Sequence, residues 1–426
     1  MRGLRSTLAL IVVLAGLSSY IYFITWKKPE NDTGSKQEKV FASLQADKIN
    51  DLRIKSESGD TTALKKSDAG WQVVEPASMQ ADEAELSAIT ASLTQIEIVR
   101  VIDEHPADLK DYGLNGPRIE VDFKTAGDND YRRLLIGDKS PTGADLFVKR
   151  NGETRVFLIP AYMETNFNRT TFDLRDKTLL KFDRDKVGSV EVNAGGKIVQ
   201  IAKDGSEWKI TKPLQARADF GAVEGLIGRV QTARMRSLVT NEPSAAELKK
   251  YGLDKPETTL QMTVGSAKAT LLVGGKADDN AVYARDTSRP TVMTMESTIA
   301  DDLKKNADEY RRKDIFAFRA YTANRMEMTR AGPNAGDVDN DKVAALLAKL
   351  EGMRALSFVE SMAKTGLESP VMSVVAKFED GKKEDRVTFG KSGDNVYAGR
   401  PDEPGAGKVD AADFNDVVSK LDELSK

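Results

Sequence analysis

The sequence predicts an α+β protein built from tandem repeated units. Each is a twisted, mainly antiparallel sheet with helices on one face, and one N-terminal transmembrane helix precedes them. Three observations predict this. A charge-free stretch of 19 residues, Leu8 to Trp26, opens the chain. Five patterns of apolar, turn and capping residues then recur in the same order. The 426 residues, 40% hydrophobic and 30% charged, suit several folded domains and argue against disorder.

Residues 1–28 come first. Arg2 and Arg5 precede the apolar run, and Lys27 and Lys28 follow it. At about 1.5 Å per residue a helix of this length spans roughly the hydrocarbon thickness of a bilayer. Tyr20, Tyr22 and Trp26 lie toward its far end, where amphipathic rings favour the interface. The run is long for a secretory signal core and no small-x-small site ends it, so the expectation is an uncleaved signal anchor through residues 8–26. Residues 29–40 read as a polar tether. Without residues 1–28, which hold four bases and no acid, 59 bases face 66 acids, a net of −7.

The repeats fill the rest as 41–181, 182–316 and a shortened 317–426. Leu52 and Ile54 alternate as in a half-buried strand, and Val190 with Val192, then Met326 with Met328, repeat them. Trp71-Gln-Val-Val-Glu-Pro76 returns as Trp208-Lys-Ile-Thr-Lys-Pro213, and the third copy lacks this strand. Asp82, Asp219 and Asp339 then stand as N-caps. Positions 4, 7 and 11 beyond them form one helical stripe: Leu86, Ile89, Leu93; Val223, Leu226, Val230; Val343, Leu346, Leu350. Tyr112-Gly-Leu-x-x-Pro117 recurs from Tyr251 and, with Thr365 for Tyr, from Thr365. It reads as a turn whose Gly takes a positive φ. Strands ending in Gly137, Gly274 and Gly390 follow, each leading through a turn to another strand. The reading is about six short strands per copy, a meander closed by a helix, and Trp residues in the core. The linkers Leu179–Asp185 and Ile315–Arg319 are short and carry Phe182, Phe316 and Phe318, which predicts close packing of the copies.

Composition removes several chemistries. There are no cysteines, so disulfides, thiolate nucleophiles, Fe–S clusters and cysteine zinc sites are out. His105 is the one histidine, which excludes multi-histidine metal sites. A net charge of −3 offers no basic excess for general nucleic-acid binding. No P-loop or Gly-x-Gly-x-x-Gly fingerprint occurs.

The repeated Tyr-Gly-Leu-x-x-Pro at 112–117 and 251–256 and the strand–Gly–turn–strand at 134–150 and 271–285 together resemble the bacterial family called domain of unknown function 4340. Arg175-Asp176-Lys177 and Arg311-Arg312-Lys313-Asp314 add to the resemblance. It implies one N-terminal anchor in the inner (plasma) membrane, an extracytoplasmic body and a protein partner in an ABC-2-type transport assembly. It implies no catalytic residues.

Remaining motifs are accounted for by the fold. Asp337-x-Asp339-x-Asp341 starts like a calcium loop, but the positions that need Gly and Glu hold Lys342 and Ala348. Ser361-x-x-Lys364 and Lys364-Thr365-Gly366 match two motifs of penicillin-recognising enzymes but share one lysine where that chemistry needs two. His105 reads as a solvated loop residue. Asn31-Asp-Thr33 and Asn168-Arg-Thr170 match glycosylation acceptors. Arg311-Arg312-Lys313 reads as a solvated helix end. No catalytic, cofactor or metal residue is assigned and no cofactor is expected. The expected function is that of an anchored accessory or scaffold protein acting by binding. The alternatives are a recognition module for envelope glycan, peptide or lipid, and a hydrolase using only carboxylates and Ser.

Overall fold

The structure, a computed structural model, describes residues 38–330 and 340–424. The chain divides into two compact units, one ending at Asp176 and the other beginning at Lys177.

In the first unit the strands are β1 (Ile49–Lys55), β2 (Thr61–Ser67), β3 (Gly70–Glu75) and β4 (Met79–Gln80). Helix α1 (Glu83–Gln95) follows, then β5 (Arg100–Asp103), β6 (Ile119–Thr125), β7 (Arg132–Lys139), β8 (Asp145–Arg150) and β9 (Val156–Pro160). They form one antiparallel sheet in the order β4-β3-β2-β1-β6-β7-β8-β9-β5. The Asp82 carboxylate accepts from the amides of Ala84 and Glu85, satisfying free donors of the first turn of α1. Leu86, Ile89 and Leu93 are then fully buried in one core with Leu52, Ile54 and Trp71 of the sheet. Each such side chain contributes about 1.5–3 kcal/mol on burial.

The second unit holds two sheets. The first repeats the pattern with β10 (Val187–Ala194), β11 (Lys197–Asp204), β12 (Glu207–Lys212), β13 (Ala216–Arg217), α2 (Phe220–Thr232) and β14 (Ser237–Thr240). It continues with β15 (Thr258–Val264), β16 (Ala267–Asp278), β17 (Ala281–Asp286) and β18 (Val292–Glu296), in the same order across the sheet. The last sheet has six strands: β19 (Ala323–Arg330), β20 (Ala355–Val359), β21 (Met372–Phe378), β22 (Lys383–Ser392), β23 (Asn395–Gly399) and β24 (Ala406–Val409). Helix α3 (Asn340–Gly352) lies between β19 and β20, and α4 (Ala411–Leu424) follows β24. Among the described residues this sheet has no counterparts of β2, β3 and β4.

Register confirms that the copies are one design. Leu52 pairs with Phe123, Val190 with Met262 and Met326 with Ala376. Each of these ladders carries a one-residue irregularity at the same place: Ile49/Asp51, Val187/Ser189 and Ala323/Arg325. The two glycine motifs also explain each other. Gly113, Gly252 and Gly366 sit at φ +68°, +71° and +73°. The turn they make lies against the strand glycines. A Cβ on Gly137 would stand 2.1 Å from the Tyr112 carbonyl oxygen, and one on Gly274 would stand 2.2 Å from that of Tyr251. On Gly390 it would stand 2.5 Å from that of Thr365. Glycine is required there because two backbones touch.

Three features differ from the sequence reading. The full copies have nine strands, not six. Strand β4 is two residues long, β5 is four residues with three half-buried in a row, and the β9 core run Val156–Ile159 is buried without alternation, so none of the three gives a period-two signal. Val40 and Phe41 are buried in the first core, so the folded body already includes part of the stretch read as tether. Helices close the first two copies only as short turns, Thr171–Leu174 and Ser297–Asp302, whereas α4 closes the third. The apolar run 8–26, Asn31, Asp337 and Asp339 lie outside the described residues. Among the described residues no helix is long and apolar enough to cross a membrane.

Candidate functional site

The residues leading into each sheet occupy the same slot. Val40 donates its amide to the Ile96 carbonyl, Leu179 to that of Ala233 and Ile315 to that of Met353. Return bonds run from Ile98 to Glu38, from Met235 to Lys177 and from Ala355 to Lys313. An arginine from the far hairpin then caps the incoming carbonyl. Arg150 donates to Val40, Arg289 to Thr178 and Leu179, and Arg400 to Ile315.

Residues leaving a full copy pair with its short edge strand. In the first unit Ala81 bridges Arg175, with bonds from Asp82 to Leu174 and from Asp176 to Gln80. In the second unit Ala218 bridges Arg311, with bonds from Asp219 to Tyr310 and from Arg312 to Arg217. The segment 310–315 is therefore an extended strap, bonded along β13 at one end and beside Met353–Ala355 at the other. Arg311 is 3% exposed, so the solvated helix end expected there is wrong. The strap's bridges at both ends hold the backbone extended.

Around this strap the second and third sheets share a buried charge cluster. Glu403, in the β23–β24 loop, meets Arg217 at 2.5 Å, Arg311 at 3.4 Å and Arg400 at 3.7 Å. Asp385 is also paired with Arg400 and accepts the Ala317 amide. Burial works against the Arg400 charge, but the nearby Asp385 carboxylate outweighs it and raises the pKa overall. The Arg311 guanidinium stacks 3.9 Å from the Phe358 ring centre. Tyr310, at the start of the strap, has its hydroxyl pushed up to about 12 by burial. Such a cluster adds little net stability, but losing one member leaves buried charge unpaired.

Beside the cluster lies a cleft of about 260 Å³, lined by Glu207, Trp208, Arg217, Phe220, Arg312 and Asp314 among others. Phe220 opens α2 and is 62% exposed, an unusual position for a large ring. Trp208 is 2% exposed and donates its indole N–H to Glu224. Trp71 is likewise buried, as the core reading expects. Two of the cleft carboxylates are engaged: Asp219 caps α2, and Asp314 lies between Arg312 and Arg354.

The other sequence motifs fall elsewhere. His105 is exposed, with Nδ1 3.2 Å from the Thr154 hydroxyl. The Ser361 hydroxyl accepts from the Ala363 amide within a turn, and exposed Lys364 has φ +62°. Asn168 is tied at both ends of its amide to Glu57. Arg217, Arg400 and Glu403 were not singled out from the sequence. Arg400 had a signal, since it follows β23 where Arg150 ends β8. Glu403 had none beyond its place between Pro401 and Pro404.

The family model described as domain of unknown function (DUF4340) matches residues 71–209 and 208–337, more than half the chain. Both matches begin at a strand tryptophan. The family frame therefore takes in most of one sheet, the strap and the opening strands of the next, a cyclic shift of the sheet frame. No curated protein and no solved structure matches.

Proposed function

The chain belongs to the DUF4340 family, and on that premise we propose that it is a membrane-anchored extracytoplasmic scaffold or accessory subunit. It works by binding, and its partner is a component of an ABC-2-type envelope transport system. The observation that carries this reading is the strap-and-slot construction. The buried arginines and the incoming segments are spent on holding sheets in order, which is what a presenting platform needs. The charge-free run 8–26 supports an anchor in the inner membrane, and the partner class rests on the family resemblance. Affinity purification of the full-length protein, gently solubilised from its native membrane, tests the proposal, with residues 40–426 as control. An ABC-2-type permease should co-purify with the full-length form. Recovery without any transporter component would sink it.

The cleft favours a second reading, recognition of an envelope glycan, peptide or lipid. Exposed Phe220 offers a stacking face, and Arg217 and Arg312 offer charge beside it. Retained glycan or lipid that disappears in Phe220→Ala would support this alternative.

A further inference from the structure

In the full copies the first strand has a neighbour on each side. Strand β10 is flanked by β15 and β11, with Val190 opposite Ile201 and Val192 opposite Val199. The equivalent β19 pairs with β21 alone, and no other described strand lies on its outer edge over Ala323–Arg330. The core beneath records the loss. Val190 and Val192 are 1% and 5% exposed, whereas Met326 and Met328 are only partly buried against the third core. Tyr321, just before the strand, is 87% exposed. An open edge of this length is a template for another strand.

The sister sheets state what fits: an antiparallel strand with apolar residues at alternate positions on the core face. We propose that the occupant is β19 of a second copy of this chain, paired about a two-fold axis at Met326. In that register Met326 meets Met326 on the core face. On the other face Arg325 and Glu327, which pair with each other at 2.8 Å within the strand, each also stand opposite the complementary charge of the partner copy. A shift to an axis at Glu327 would set Glu327 against itself, so charge selects the register. This interface does not depend on the transport partner proposed above.

The chain has no cysteine, so a single introduced one reports its own neighbour. In the full-length protein in detergent, Met326→Cys should form an intermolecular disulfide under mild oxidation, and Met328→Cys should form far less. Arg325→Glu should weaken dimerisation about tenfold in sedimentation, and Arg325→Glu with Glu327→Arg should restore it. A monomer at all concentrations overturns the proposal. So does equal cross-linking at the two positions, or a charge reversal that is not rescued.

Discussion

The second and third sheets are the same design with and without its opening hairpin, and the difference shows what that hairpin does. Strand β13 receives the strap that leaves the second sheet, as β4 receives residues 174–176 in the first unit. The third sheet keeps the incoming slot, the glycine turn and the meander, and among the described residues it has no counterpart of β2, β3 and β4. Among its described residues it accepts a strap and issues none. The chain turns instead into α4, whose Phe414 and Val417 complete the third core. The hairpin is thus the outgoing connector of the first two copies.

The largest expected effect tests the part that both copies share. Gly274→Ala and Gly390→Ala each place a Cβ within 2.5 Å of backbone atoms. Each should cost about 3 kcal/mol or more in urea unfolding, because backbone cannot yield as a side-chain tip can. A silent Gly390→Ala would mean that the third copy does not use the turn as the second does.

A smaller effect separates the copies. Glu403→Ala leaves Arg217, Arg311 and Arg400 without their shared acceptor and should cost about 3 kcal/mol. Hydrogen exchange should quicken at the amides of Ile315 and Ala355, while the β15–β16 ladder stays protected. Equal loss of protection in both sheets would contradict a local junction.

The smallest effect uses the first sheet as reference. Burial pushes the Glu164 carboxyl up, but hydrogen bonds and charge from Lys139 and Arg118 hold it below its usual value. Its folded pKa is depressed, so its stabilisation is full above the unfolded value of about 4.3 and fades as pH falls through the folded one. Glu164→Gln should lower the urea midpoint at neutral pH and flatten its fall below about pH 4. An unchanged acid limb would refute this.

Much of the architecture was legible because it is written in periodicity. The stripe from Leu86 to Leu93, the caps Asp82 and Asp219 and the glycine turns each leave a local pattern, and repetition raised them above chance. Strands β5 and β9 were not legible: one is short and half-buried without alternation, the other buried along its core run. The junction was the least legible part. Arg217, Arg311 and Glu403 lie far apart in the sequence, and charged residues report burial only through partners that folding supplies. Arg311 could therefore be read as solvated when it is among the most buried charges of its unit.

The strap has one more consequence, in its lack of slack. The Arg312 amide is the last donor to the second sheet, and the Lys313 carbonyl is the first acceptor for the third. These residues are consecutive, so no residue separates the two bonded zones and the step between them is a single rise of about 3.4 Å. These two sheets cannot drift apart on a loose leash. A pull that parts them must unzip hydrogen bonds at one end of the strap, and a motion that spares those bonds must turn about the strap as an axle.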